Sequence, residues 1–165
     1  MTDTARWALP LLEAGQAQKE MTHNEALALL DLLAQASVEA VGVNAPPENP
    51  SEGQCWIAGS VPTGAWSGRA GALAGWTAGG WRFAPARDGM RVWSMADDCE
   101  ASRTGGQWRV GRLSGAELVI DGVRVVGPRQ PAIAVATGGT TVDAEARATL
   151  TQVLILLRTH GLIAA

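Results

Sequence analysis

Hydrophobic and polar positions change their period twice along the chain, dividing it into three segments. From Ala26 to Val41, the residues Leu27, Leu30, Leu33 (or Ala34), Val38 and Val41 recur near a helical spacing, with Ala26 and Leu29 widening the stripe. Thr22-His23-Asn24-Glu25 precedes the run with capping-box spacing, in which the Thr22 hydroxyl accepts from an early amide and Glu25 reaches back. Gly42 and Asn44-Ala45-Pro46-Pro47-Glu48-Asn49-Pro50 end the run, because proline cannot continue a helical ladder. A helix over 22–41 is therefore expected, led in by an extended arm through Leu9–Lys19.

From Gly53 to Val110 the pattern shortens to strand-like runs punctuated by glycine. The runs are Gln54–Ala58, Gly64–Trp66, Ala72–Trp76, Trp81–Phe83, Met90–Trp93 and Gln107–Val110. Trp76-Thr77-Ala78-Gly79-Gly80-Trp81 reads as a tight hairpin, and Ser102–Trp108 repeats the Gly-Gly-x-Trp arrangement. Beyond it, Ala116–Val126 reads as two strands around Asp121-Gly122, and Pro128–Ala136 as extended chain. A helix from about Val142 to His160 follows, with Thr141 or Asp143 as cap, Glu145 in its first turn and Gly161 at its stop. Leu150, Val153, Leu154 and Leu157 line one face of it, while Ile155, Leu156, Leu162 and Ile163 widen the apolar surface. A helix apolar on so many sides is expected to be covered by another chain as well as its own.

The fold class expected is α+β: an N-terminal arm and helix (1–49), a small Trp-rich antiparallel β unit (50–113), and a β-hairpin with an apolar assembly helix (114–165), the three expected to form one compact subunit. Charge follows the same divisions, with nets of −5, +2 and 0 over the three segments. The whole chain of 165 residues carries −3, which argues against a nucleic-acid partner, since counterion release needs a basic surface. No apolar run is long enough for a membrane span. Met1-Thr2-Asp3-Thr4-Ala5-Arg6 lacks the apolar stretch of a secretory leader.

Chemistry is sparse. Cys55 and Cys99 are too few for a disulfide framework and lie in no zinc-like cluster. His23 and His160 each read as helix-end residues rather than as catalytic bases. Asp97, Asp98 and Glu100 crowd together without the spacing or glycine of a calcium loop, and read as a solvated turn. Gly138-Gly139-Thr140-Thr141 lacks the lysine of a phosphate-binding loop. No catalytic residue, metal or cofactor is expected. Seven Trp stand against one Phe and no Tyr, and six of them fall between positions 56 and 108. Most are expected in the core of a sheet that has little leucine. Trp66, in a Gly-rich loop, is the indole expected to be exposed, and Trp66 and Trp76 are the candidate sugar contacts.

The residues Leu9–Glu20, Thr22–Leu27, Leu30-Asp31, Ala45-Pro46-Pro47, Gly64–Gly68 and Trp76 to Gly80-Trp81 resemble a domain-of-unknown-function family of alphaproteobacterial prophages and gene transfer agents. Leu118–Gly127 and Gly138–Arg147 resemble the C-terminal segment of such proteins. The resemblance implies a structural protein of a phage-like particle, assembled in the bacterial cytoplasm and released. The chain is shorter than the longer members, which implies the base of a capsid head spike supporting adhesion to a capsulated cell. Its partners would be a homo-oligomer (a pentamer before a trimer, from the capsid vertex), a capsid protein, a spike fibre protein and capsular polysaccharide. Leu27, Leu30, Leu150, Val153, Leu154 and Leu157 would form the assembly faces, and the arm Thr2–Leu12 would dock on capsid or a neighbouring subunit. The alternative is a carbohydrate-binding module acting through exposed Trp.

Overall fold

A computed structural model of the protein describes residues 3–12, 19–140 and 143–164. The fold is α+β and divides into two compact units, one up to Arg112 and one from Leu113 on. In the first, helix α1 (Lys19–Leu33) is followed by β1 (Ser37–Val38), β2 (Val41–Val43) and β3 (Cys55–Ala58). A single 3₁₀ turn (Gly64–Trp66) then leads to β4 (Leu73–Thr77), β5 (Gly80–Ala84), β6 (Arg91–Ser94), β7 (Cys99–Thr104) and β8 (Gln107–Val110). The second unit holds β9 (Leu118–Ile120), β10 (Val123–Val126) and α2 (Ala144–Thr159).

The strands of the first unit form two four-stranded sheets, ordered β1-β6-β7-β8 and β2-β3-β4-β5. Each is an antiparallel meander with one parallel strand added at its edge: β1 beside β6, and β2 beside β3. The segment 37–43 thus belongs to both sheets. Tight turns set the hairpin registers. Thr77 pairs with Gly80 around Ala78-Gly79, and Thr104 pairs with Gln107 around Gly105-Gly106; Gly105 and Gly106 are both at positive φ, as a primed turn requires.

Strand alternation sorts the side chains into two cores. Cys55, Ile57, Leu73, Val92, Ala101 and Val38 meet Leu32 of α1 in the first. Trp56, Ala58, Ala74 and Trp66 form the second, on the other face of β3 and β4, with Trp81 and Phe83 at its margin. Both faces of β3 are covered, so all four of its residues are buried. Gly75 is the point where α1 comes closest, because an added Cβ there would overlap the Leu32 side chain.

Four expectations for this unit are corrected. The N-terminal helix stops at Leu33, and Gln35 turns the chain at positive φ. Val38 and Val41 are strand residues instead, with the Trp93 amide donating to the Ala36 carbonyl and the Ile57 amide to the Ala40 carbonyl. Thr22 and Glu25 consequently lie inside α1 rather than forming a cap. Gly64–Trp66 is a 3₁₀ turn, not a strand. Strand β7, over a stretch read in part as a turn, is held between β6 and β8 on both sides.

In the second unit, β9 and β10 pair around Asp121-Gly122, both at positive φ. The chain at Gln130 pairs with Ile163 past the end of α2, and the Arg129 guanidinium donates to the Ile163 carbonyl. Asp143 caps α2 by accepting from the Ala146 amide at 2.8 Å, and the His160 amide closes the last turn on Leu156. Thr141, the other proposed cap, and Val142, the expected start, lie outside the described residues, as does Glu13–Gln18 of the expected arm.

Candidate functional site

The Trp-rich face of the first unit is a packed core. Trp66 is 0 % exposed, which overturns the expectation that its Gly-rich loop presents it to solvent. Asn44 is the cause: its carbonyl accepts from the Thr63 amide at 2.7 Å and its side chain from the Val61 amide at 3.1 Å, folding residues 61–66 back over the sheet. The Trp66 ring then sits edge-on to Trp81, with centroids 5.1 Å apart, and tilted against Trp56 at 6.2 Å. A ring with no accessible face cannot stack on a sugar, so Trp66 is no sugar contact.

Trp76 is half-buried and edge-on to Trp81 at 5.0 Å. It borders a cavity of about 220 Å³ that Glu25, Asp31, Arg82 and Glu52 also line. Strand alternation places its ring on the sheet face opposite Gly75 and Arg82, on the side of Trp81. Trp93, by contrast, is 45 % exposed, because Val92 and Ser94 take the inward positions of β6. It shares the outer face with Arg91 and with Glu100, its cross-strand neighbour, and those two lie 3.4 Å apart as an ion pair. The alternation Arg91-Val92-Trp93-Ser94 carries this information in the sequence.

The polar groups between arm, helix and hairpin are occupied structurally. Buried Asp31 accepts from the Thr4 hydroxyl (2.7 Å) and from the Arg6 (3.0 Å) and Trp7 (2.7 Å) amides. The Arg6 guanidinium donates to the Asp31 and Leu32 carbonyls at the end of α1, where the helix dipole favours a cation. Asn24 exchanges two hydrogen bonds with Leu12. The described residues of the arm fold onto their own helix; Thr2 lies outside the described residues. Glu25 and Arg82 form a two-pronged pair at 2.7 and 2.6 Å, and this hydrogen bonding holds the Glu25 carboxyl below its ordinary value.

Other chemistry-bearing side chains are held in similarly structural settings. Asp97 accepts from the Ser94 hydroxyl at 2.5 Å, and Asp98 turns the chain at positive φ between β6 and β7. No group of three His, Cys, Asp or Glu among the described residues is arranged for a metal ion. Cys55 is buried and desolvation pushes its thiol up to about 11, so the nucleophilic thiolate is scarce near neutrality. His23 is an exposed residue of α1, and His160 ends α2.

The second unit has the opposite character. No residue of α2 is buried: Leu150 is 55 % exposed and Leu156 58 %, with Val153 and Ile155 similar, while Leu154 and Leu157 are half-buried. Every residue of β9 and β10 is exposed, on both faces of the ribbon, including Leu118, Ile120, Val123 and Val125. Ile163 is the one buried hydrophobic residue of this unit among those described. In α1, Leu30 is exposed and Leu27 half-buried. No described helix is long and apolar enough to cross a membrane.

The sequence profile of one protein family, described as a protein of unknown function (DUF2793), matches residues 23–109, more than half of the chain. No curated protein matches it.

Proposed function

From the premise that the chain belongs to the family of proteins of unknown function DUF2793, we propose that it is a self-associating structural subunit of a phage-like particle. The observation that carries the self-association is the second unit, whose strands and helix leave their apolar side chains in water. An isolated two-stranded ribbon is marginal in water, and an exposed apolar surface on this scale marks an interaction site. Covering a fully exposed Leu or Val contributes about 1.5–3 kcal/mol; Leu150, Val153, Leu156, Leu118, Ile120 and Val123 are each about half exposed, so each contributes part of that toward holding copies together. The placement within a gene transfer agent, as the oligomeric base of a capsid head spike beside capsid and fibre proteins, is supported by the resemblance of the sequence. A capsid vertex favours a pentamer over a trimer.

The test is the native mass of the purified chain by sedimentation, with Leu154→Asp/Leu157→Asp and Leu150→Asp/Leu156→Asp as variants. A discrete wild-type oligomer that falls to a folded monomer in the second variant, whose side chains are exposed in the free subunit, supports the proposal. A monomeric wild type, or variants sedimenting as wild type, overturns it. A second reading, direct contact with capsular polysaccharide, is favoured by the exposed Trp93 on the outer face of β6. Trp93→Ala, folded but no longer retained on immobilised polysaccharide, supports that reading; unchanged retention removes it.

A further inference from the structure

We infer that the first unit carries a binding site for a small oxyanion, built on Arg69 and Arg103. The two side chains line a cavity of about 200 Å³ together with Gly68, Ala72, Phe83 and Ala86, and its walls hold no Asp or Glu. Both guanidinium groups lean on a ring. The Arg69 carbon lies 5.0 Å from the Phe83 centroid and the Arg103 carbon 6.0 Å from that of Trp108. Trp108 is itself fixed, donating from Nε1 to the Gly71 carbonyl at 2.8 Å. Gly71 lies close beside Arg103: at φ +70° it tolerates a side chain poorly, and an added Cβ would stand 2.7 Å from Arg103 Nη1.

Neither cation is spent elsewhere. Among the described residues, the ion pairs are Arg82 with Glu25 and Arg91 with Glu100, and no hydrogen bond leaves the Arg69 or Arg103 side chain. Arg6, Arg82, Arg129, Arg147 and Arg158 differ in this respect, each donating to a carbonyl or carboxylate. Asp88, in the loop before β6, accepts from the Gly105 and Gly106 amides at 3.0 Å. A guanidinium with one face on an aromatic ring keeps its N–H edges for acceptors in its own plane, and two such forks suit a carboxylate, phosphate or sulfate group. The cavity is smaller than the roughly 300–1,000 Å³ of a drug-sized site, which limits the occupant to one oxyanion-bearing group, such as a single acidic sugar ring. This site is independent of the assembly reading, whose test is the native mass.

The experiment is an amide and arginine Nε NMR titration of the full chain at low ionic strength. The probes are glucuronate, inorganic phosphate and neutral glucose. Saturable shifts centred on residues 68–72 and 103 with either anion, absent with glucose, are expected, and they weaken as salt rises from about 20 to about 200 mM because the Debye length shortens. Arg69→Ala, at an exposed position that keeps the fold, and Arg103→Lys, which keeps the charge but not the fork, are each expected to lower affinity by about tenfold. Glucuronate binding over phosphate assigns the site to a carboxylate, and the reverse assigns it to a phosphate or sulfate. Absence of saturable shifts with both anions, equal shifts with glucose, or wild-type affinity in both variants overturns the site.

Discussion

Trp66 offers the sharpest test of how the first unit is held together. Its ring is fully buried between Trp56 and Trp81, yet its indole Nε1 has no hydrogen-bond partner among the described residues. The two facts act in opposite directions. Truncation to alanine removes the whole ring and leaves a cavity, a loss of about 3–5 kcal/mol, against a total stability of about 5–15 kcal/mol for a domain of this kind. Trp66→Phe keeps most of the aromatic contact and also removes a buried donor whose desolvation costs about 1–3 kcal/mol, so the net loss should fall below about 2 kcal/mol. Trp108→Phe is the internal control, because it leaves the Gly71 carbonyl without its donor. The measurement is guanidinium-induced unfolding followed by near-ultraviolet circular dichroism and fluorescence. A Trp66→Ala loss under about 1 kcal/mol, or a Trp66→Phe loss exceeding that of Trp108→Phe, would refute the reasoning.

Two further outcomes follow from the same unit. Gly75→Ala sets a methyl group against buried Leu32 and should lower stability by about 1–3 kcal/mol, read as a drop in thermal midpoint; an unchanged midpoint would mean that α1 does not pack there. Glu25 has its carboxyl pKa lowered by the Arg82 hydrogen bond, so the pair stabilises the fold above the ordinary glutamate range and that contribution fades as pH falls through the lowered value. Glu25 is more than half exposed, which keeps the effect within about 0.2–1 kcal/mol. Stability profiles of wild type and Glu25→Gln should differ at neutral pH and low salt and converge in acid; parallel profiles would show that the pair contributes nothing.

Local chemistry was the legible part of the sequence. The Asp-Gly and Gly-Gly turns and the Asp143 cap depend on neighbours within a few residues, and their residue types suit one geometry. The far end of helix α1 is hard to place from sequence because Val38 and Val41, three residues apart, continue the helical spacing. What makes them strand residues is the partner strands β6 and β3, distant in the chain. Strand β7, Cys-Glu-Ala-Ser-Arg-Thr, has little intrinsic preference for extension and takes its shape from the ladders on both sides. Trp66 shows a third kind of limit. A loop rich in glycine suggests surface, yet Asn44, remote in sequence, folds that loop into a lid for the indole. Trp93 was readable in principle from the alternation of its strand. The Arg69–Arg103 cavity was not, since only the fold brings these positions together.

The strand segment shared by both sheets bears on the order of events during folding. The pairs β4–β5, β6–β7 and β7–β8 close through short turns, steps that take about 1–10 μs, and none needs residues 37–43 to begin. Ser37 and Val38 pair in parallel with Trp93 and Ser94, far along the chain, a non-local contact expected to form late because its loop must close first. The N-terminal strand would thus be the last to dock although it is the first to be made. Substitutions along it should accelerate unfolding while leaving the refolding rate nearly unchanged.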